Sequence, residues 1–318
     1  ACNNTAIGYD SLKANTTGTT NTAVGSSAGL STTTGSKNAF FGNSAGQNNT
    51  EGAENTAIGS LAGKSLTTGS NNVAVGREAL EANTTASNNT AIGSCSLNAN
   101  TTGVSNVAVG ASSLAANTTA HGNTAVGVYS LCKNTTGTRS NAFGAEALCT
   151  NTTGSYNNAM GYEALCKNTT GDNNTAVGHV SLFSNTTADN NTAVGYASLC
   201  ANTTGAENTA LGANALDANT TGEKNVAIGK DALTTDTLGS RSIAIGHSSL
   251  KNQNFTSATN SNNVAVGFFA GEDITTAVCN TIIGSQAGEK ITTGSNNVAV
   301  GFDSLSSNTT ASSNIAIG

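Results

Sequence analysis

Cysteine is the side chain in this sequence that could carry out redox chemistry. Of seven cysteines, Cys132, Cys149 and Cys166 follow one another at intervals of 17 positions. A fold that repeats with this period would bring them within disulfide range, and one bridge such as Cys132–Cys149 could form in an oxidising compartment. The alternative is that they are small, semi-buried residues without a chemical role. No Cys-x-x-Cys pair with a nearby His occurs, so we predict no metal site.

The remaining reactive groups do not form a catalytic pattern. His121, His179 and His247 are far apart in the sequence, and the carboxylates are scattered along it. The sequence offers neither a Ser-His-Asp arrangement nor a pair of carboxylates as a candidate catalytic site, and no Gly-rich phosphate loop occurs. The sequence therefore predicts no catalytic residue, no cofactor and no enzymatic activity.

Asn-Thr-Thr triplets are a third candidate site. The triplet matches the N-glycosylation sequon and occurs eleven times, for example at Asn15, Asn83 and Asn100. In a secreted eukaryotic protein, these asparagines could carry a column of glycans. The alternative is an unmodified column of Asn and Thr that stabilises turns.

All of these residues belong to a 17-residue repeat. Each unit contains a Gly that closes a segment such as Asn-Thr-Ala-Val-Gly, and we call it the anchor glycine. The anchor glycines are Gly8, Gly25, Gly42, Gly59, Gly76, Gly93, Gly110, Gly127, Gly144, Gly161, Gly178, Gly195, Gly212, Gly229, Gly246, Gly267, Gly284, Gly301 and Gly318. The step from Gly246 to Gly267 is longer than the others by a four-residue insertion. We expect a small loop within Asn252–Asn262, which is a tolerated local defect or a binding loop.

A unit of this length is too short for a pair of helices, and its Gly and Thr disfavour helix. We predict an all-β fold, a single parallel β-solenoid (β-roll) of about 18 coils over residues 1–318, with the insertion within 247–266. Strands of three to five residues would stack about 4.8 Å apart. The net charge of −6 gives no basis for binding nucleic acid, and no apolar run approaches the roughly 20 residues that span a membrane.

Positions counted from the anchor glycine indicate how a coil is built. The residue four before it is almost always Asn, and we predict that this column forms a buried amide ladder that includes Asn4, Asn21, Asn38, Asn55, Asn72, Asn89, Asn106 and Asn123. The residue four after it is Leu or, in five coils, Gly. Because Leu66, Ile274 and Ile291 appear three positions later in three of those five, we predict one cavity filled from two directions.

The strand before the anchor glycine is restricted on both faces. Position −1 is always large and apolar, whereas position −2 is Ala in 17 copies, and neighbouring strand residues face opposite sides. Of 30 charged residues, all but Glu51 and Asp236 lie in six other columns, which predicts that the segment is shielded from solvent. We predict a homo-oligomer, most simply a trimer, with these strands near its axis. The alternative is that Ala merely suits a narrow coil.

The unit Asn-Thr-Ala-Val-Gly-x-x-Ala/Ser-Leu-x-x-Asn-Thr-Thr-Gly resembles the head repeats of trimeric autotransporter adhesins of the YadA type and the repeat region of bacteriophage tail fibres. The resemblance covers essentially all 318 residues. It implies a left-handed, trimeric β-roll in a fibre at a cell or virion surface. A host-surface glycan or protein receptor would then be bound through flanking domains.

The function predicted from the sequence is a structural shaft of an extracellular or virion fibre that presents a binding element for attachment to a cell surface. One alternative is an extracellular filament that assembles end to end. Another is an ice-binding solenoid, although the two Thr of each triplet are adjacent and would face opposite sides.

Overall fold

The computed structural model describes residues 1–318 and contains no helix. It confirms an all-β parallel β-solenoid of about 18 coils, as the period predicts. The chain divides into two compact units, residues 1–156 and residues 157–318. The organisation as a single domain stays a prediction.

The first unit contributes one three-residue strand from each coil. Its nine strands are β1 (Thr5–Ile7), β2 (Thr22–Val24), β3 (Ala39–Phe41), β4 (Thr56–Ile58), β5 (Val73–Val75), β6 (Thr90–Ile92), β7 (Val107–Val109), β8 (Thr124–Val126) and β9 (Asn141–Phe143). Successive strands pair in parallel with each residue beside its counterpart in the next repeat, as Ala74 is beside Ala91. This register aligns equivalent residues in straight columns.

The second unit follows the same plan. Its strands are β10 (Asn158–Met160), β11 (Thr175–Val177), β12 (Thr192–Val194), β13 (Thr209–Leu211), β14 (Val226–Ile228), β15 (Gly239–Ser240), β16 (Ile243–Ile245), β17 (Thr259–Asn260), β18 (Val264–Val266), β19 (Thr281–Ile283), β20 (Val298–Val300) and β21 (Ile315–Ile317). Strand β16 pairs with β18 across the insertion, so that Ile243 is beside Val264. The additional strands β15 and β17 pair with each other, and the inserted residues leave the register of the main sheet unchanged.

Outside its strand, each coil turns through left-handed backbone. Non-glycine residues recur there with positive φ, such as Lys37 at 59°, Glu78 at 57° and Leu80 at 54°. Such conformations disfavour most side chains, but the turns remain bonded to the next coil: the Leu80 N–H donates to the Ser96 carbonyl at 3.0 Å. Hydrogen bonds between coils therefore hold the irregular part of each coil as well as the strand.

The interior of a coil is narrow and filled mainly by Ala and Leu. Position −2, for example Ala74, and position +4, for example Leu80, are fully buried. Where Gly replaces Leu, a side chain from another column takes the space. Leu66 reaches within 2.7 Å of where a Cβ on Gly63 would lie, which confirms a cavity filled from two directions, and Phe40 fills the same space beside Gly46.

The anchor glycine meets two constraints at once. Gly76 has φ of +132°, and a Cβ there would lie 2.5 Å from the carbonyl oxygen of Gly93 in the next coil. Side chains rarely adopt this backbone conformation, and the obstacle is backbone that cannot move aside without breaking the ladder. The anchor position therefore requires Gly for its conformation and for its space.

We predict that Gly76→Ala lowers the free energy of unfolding by at least about 3 kcal/mol, because strain and a backbone clash coincide. Gly122→Ala is the matched control, since Gly122 also has positive φ (+69°) but its nearest neighbour would be 3.6 Å away. That control should cost about 1 kcal/mol. Urea unfolding followed by circular dichroism measures both variants, and equal losses would contradict this account of the anchor glycine.

Candidate functional site

The Asn column at position −4 forms the predicted ladder. Asn21, Asn38 and their equivalents are buried. The backbone N–H of Asn38 donates to Asn21 Oδ1 at 2.9 Å, and Asn38 Nδ2 donates to the Gly52 carbonyl at 2.8 Å. Only some neighbours also bond amide to amide, as Asn38 Nδ2 does to Asn21 Oδ1 at 3.1 Å. The ladder thus bonds side chains chiefly to backbone of the neighbouring coil.

A second amide ladder runs through the Asn-Thr-Thr triplets at position +7. Asn100 Nδ2 donates to Asn83 Oδ1 at 3.0 Å and to the Gly103 carbonyl at 2.9 Å, and Asn100 Oδ1 accepts from Asn117 Nδ2 at 2.8 Å. Here the bonds join side chain to side chain from coil to coil. The sequence indicated this column only as a sequon or a turn column, because nothing in a triplet tells which way its Asn points.

Burial bears directly on the candidate glycosylation sites. Asn83 and Asn100 are fully buried, and Asn15, in the first coil, is half-buried. A glycan on Asn83 or Asn100 is incompatible with this packing, since both amide nitrogens are hydrogen-bonded inside the coil. The structural column, which was the alternative, agrees with the geometry.

The threonines of the triplets divide between two roles. The first Thr uses its hydroxyl within the solenoid, as Thr101 Oγ1 donates to the Thr118 carbonyl at 3.1 Å. The second, for example Thr102, is exposed. The triplets therefore present one column of exposed Thr side chains rather than a Thr-x-Thr face.

The outward face of the strands repeats in each unit and carries large apolar side chains. Along a strand the Ala at −2 points into the coil, and the residues at −3 and −1 point out. Ile58 and Phe143 at −1 are exposed, while Val73 at −3 is half-buried. The prediction that the whole segment is shielded is therefore wrong for these two positions in a single chain. Where Leu occupies position +4, the strand contributes only Ala to the coil interior, whereas Phe40 enters the coil beside Gly46, where Gly replaces that Leu. The buried Ala column agrees with the alternative that Ala suits a narrow coil.

The three aligned cysteines occupy position +5 of consecutive coils. Cys132 is a half-buried free thiol and Cys166 is buried. Burial raises the pKa of the Cys132 thiol, and Cys149 in the next coil raises it further. The structure therefore brings Cys132 and Cys149 together as neighbours, and a disulfide between them stays a prediction.

Aromatic and His side chains form stacks that the sequence did not reveal. His179 stacks between Tyr162 and Tyr196, with ring centroids 5.4 and 5.6 Å apart. His247 stacks on Phe268 at 5.3 Å. All five follow an anchor glycine directly, so the register of the repeat places them side by side.

The four-residue insertion is anchored by buried side chains. Phe255 and Gln253 are buried, and Gln253 Oε1 accepts from Asn263 Nδ2 at 2.8 Å. The Ser261 N–H donates to the Ser240 carbonyl at 2.9 Å. The expected small loop is present, and its middle, from Thr256 to Ala258, is exposed.

Neither unit contains a pocket or a group of three or more His, Cys, Asp or Glu side chains that could hold a metal ion. The chain forms no helix long and apolar enough to cross a membrane.

We predict that Asn100→Ala lowers the free energy of unfolding by about 2 to 4 kcal/mol, because it removes buried hydrogen bonds and leaves Asn83 Oδ1 without a donor. Thr102→Ala, an exposed change in the same coil, should alter the free energy by about 0.5 kcal/mol or less. Denaturant unfolding compares the two variants. Equal effects would show that the second ladder contributes no stability.

We also predict that iodoacetamide labels Cys132 slowly at pH 7.5 and faster as the pH rises above 9, since its raised pKa keeps it a thiol. Cys149→Ser should shift the labelling of Cys132 to lower pH, because Cys149 contributes to the raised pKa. Peptide mass spectrometry measures both rates. Rapid labelling of Cys132 at pH 7.5, or an unchanged profile in the variant, would contradict this prediction.

Neither a scan against protein-family models nor a search of curated proteins finds a match to this chain.

Proposed function

We propose that this chain is a structural solenoid that assembles with further copies of itself, through the outward strand face, into the shaft of an extracellular or virion fibre. The observation that carries the proposal is the outward column of large apolar residues at position −1, which a single chain leaves half-buried or exposed. Ile58, Ile92 and Phe143 are each about two-fifths exposed. An uncharged strand face that exposes large apolar side chains in coil after coil is the kind of surface that marks an interaction site.

A second copy is the partner that fits this face. The strands carry almost no charge, so a partner would have to be apolar along the strand direction. It would also have to match side chains that recur once per coil over the whole of a unit. Another copy of the chain has both properties, and closed symmetry around an axis would cover the face in every copy. We propose three copies, the number that the resemblance to fibre repeats implies.

The role as a shaft is supported by the hydrogen bonds that join successive coils. Within each unit, a coil is bonded to the next by the strand, by amide ladders and by bonds between turns, so a pull along the unit would be resisted by several hydrogen bonds at each step. We propose that a binding element outside these coils recognises a glycan or protein receptor on a cell surface.

The double variant Ile58→Lys/Ile92→Lys tests the assembly. We expect its mass in solution to fall to that of one chain, 31.2 kDa, with an unchanged circular dichroism spectrum, because four methylene groups and a charge would have to enter an apolar interface. The matched control, Val104→Lys/Val128→Lys, changes side chains that are 40% and 45% exposed outside the strands and should remain assembled.

Light scattering coupled to size-exclusion chromatography measures these masses. A wild-type protein that has the mass of one chain at micromolar concentration would overturn the proposed assembly. Equal masses for the double variant and the wild-type assembly would show that copies meet at another surface.

A further inference from the structure

The amide ladder at position +7 runs in one direction, and where it is interrupted the same atom, Oδ1 of the last Asn, lacks a hydrogen bond. In each regular step, Nδ2 of one Asn donates to Oδ1 of the Asn in the preceding coil, as Asn219 Nδ2 does to Asn202 Oδ1 at 2.9 Å. Oδ1 has no hydrogen-bond partner in Asn15, Asn49 and Asn219. The equivalent residues of the next coils are Thr32, Leu66 and Asp236, none of which has an amide group to donate. An orphaned oxygen therefore marks each of these steps.

Asp236 differs from Thr32 and Leu66 because its side chain places a carboxyl group where the other coils have an amide. It is fully buried, although charged residues elsewhere in the chain lie in outer columns. Gln253 Nε2 in the next coil donates to Asp236 Oδ2 at 2.6 Å, and the Gly239 N–H donates to Asp236 Oδ1 at 2.9 Å. By the register of the ladder, Asp236 is next to Asn219 of the preceding coil, whose Oδ1 is an acceptor without a donor.

An ionised Asp236 can only accept hydrogen bonds, so it would set a buried negative charge against the Asn219 oxygen. A protonated carboxyl has one O–H, which supplies the donor that this step lacks. We propose that Asp236 is held as a neutral carboxylic acid that donates to Asn219 Oδ1, and that this bond makes the attachment of the insertion, Asn252–Asn262, sensitive to pH.

The surroundings of Asp236 agree with a neutral group. No charged side chain contributes to the pKa of Asp236. Its side-chain donor is the Gln253 amide, which also donates to the Ser242 hydroxyl at 2.8 Å, and the ladder register puts the Asn219 amide on its other side. Burial is the largest influence and raises the pKa of Asp236. Hydrogen bonds from Gln253 and from backbone N–H groups lower it in part without reversing the shift.

The insertion depends on this carboxyl through Gln253. One end of the Gln253 amide bonds to Asp236 and Ser242, and the other accepts from Asn263 Nδ2. Ser242 and Ser261 also share a hydrogen bond between their hydroxyls, so both ends of the insertion meet this network. Loss of the proton from Asp236 would leave a buried charge against the Asn219 oxygen, and this cost would fall on the part of the fold that holds the extra residues in place.

The sign of the pH effect follows from the raised pKa. The folded coil binds the proton more tightly than the unfolded chain, so its stability is complete below the ordinary pKa of 3.8. That stability is lost as the pH rises through the folded pKa. Lower pH should therefore stabilise the attachment of the insertion. A carboxylate stabilised by a positively charged partner would have the opposite effect.

Amide hydrogen exchange of the full chain between pH 4 and pH 8 tests the proposal, with rates corrected for the intrinsic effect of pH. The probes are the N–H groups of Gly239 and Ser261. We expect local opening to increase by up to tenfold per pH unit within the window between the ordinary and the raised pKa, and then to level off. Asp236→Asn, which restores the amide of the other coils, should remove this dependence and keep both groups protected at pH 8.

Asp217→Asn is the matched control, because Asp217 is a half-buried carboxyl in the preceding coil whose pKa burial also raises, but it lies outside the ladder. It should leave the pH dependence at Gly239 and Ser261 intact. Infrared difference spectra should show the carbonyl band of a protonated carboxyl group at pH values above the ordinary pKa of 3.8, absent in Asp236→Asn and present in Asp217→Asn.

Protection that rises with pH would overturn the proposal, because an ionised Asp236 would then be stabilised by an Asn219 amide turned over to donate. The same pH dependence in the wild type and in Asp236→Asn would also overturn it. So would weaker protection in Asp236→Asn than in the wild type at pH 8.

Discussion

The hydrogen bond from one coil to the equivalent position of the next is the interaction on which the rest of the structure depends. The strands, the turns and the buried amides all form this bond. Each residue therefore lies between the residues at the same repeat position in the preceding and the following coil. This explains why Asn is so frequent inside: an amide has both a donor and an acceptor and can continue a chain of bonds through a core that excludes water. It also explains why the anchor glycine leaves no space for a Cβ, since backbone meets backbone at each step.

The same constraint determines which face of the strand is buried. Two amide columns and a Leu column occupy the narrow interior, and wherever that Leu is present the strand contributes only Ala beside them. Phe40 and Ile282 take the Ala position in coils that carry Gly instead of Leu. The large apolar residues of the strand are consequently directed outward, where a single chain cannot cover them. A sequence that places Val, Ile or Phe at such a position in every coil is typical of a surface that meets another surface. The coil and the proposed assembly are thus two results of one packing restriction.

The sequence predicted features that depend on the 17-residue spacing of the repeat. It did not predict features that depend on the direction in which a side chain points. The regular spacing led to the parallel solenoid, the first Asn ladder and the complementary filling by Gly63 and Leu66. The direction of a side chain within a turn is not encoded in spacing. Asn83 and Asn100 were therefore candidate glycosylation sites although they point into the core, and the left-handed backbone of Leu80 had no visible signal. Asp236 was identified only as an exception among the charges, and its partner, the unpaired oxygen of Asn219, becomes apparent only in three dimensions.

The most direct measurement of the central claim is a cryo-electron microscopy reconstruction of the assembled protein. We predict that, within a unit, the strands face the symmetry axis of the assembly, with Ile58, Ile92 and the other residues at position −1 packed against the same columns of neighbouring copies. The Ala column should remain inside each coil. Strand faces that point away from neighbouring copies and towards solvent in the assembled particle would contradict it.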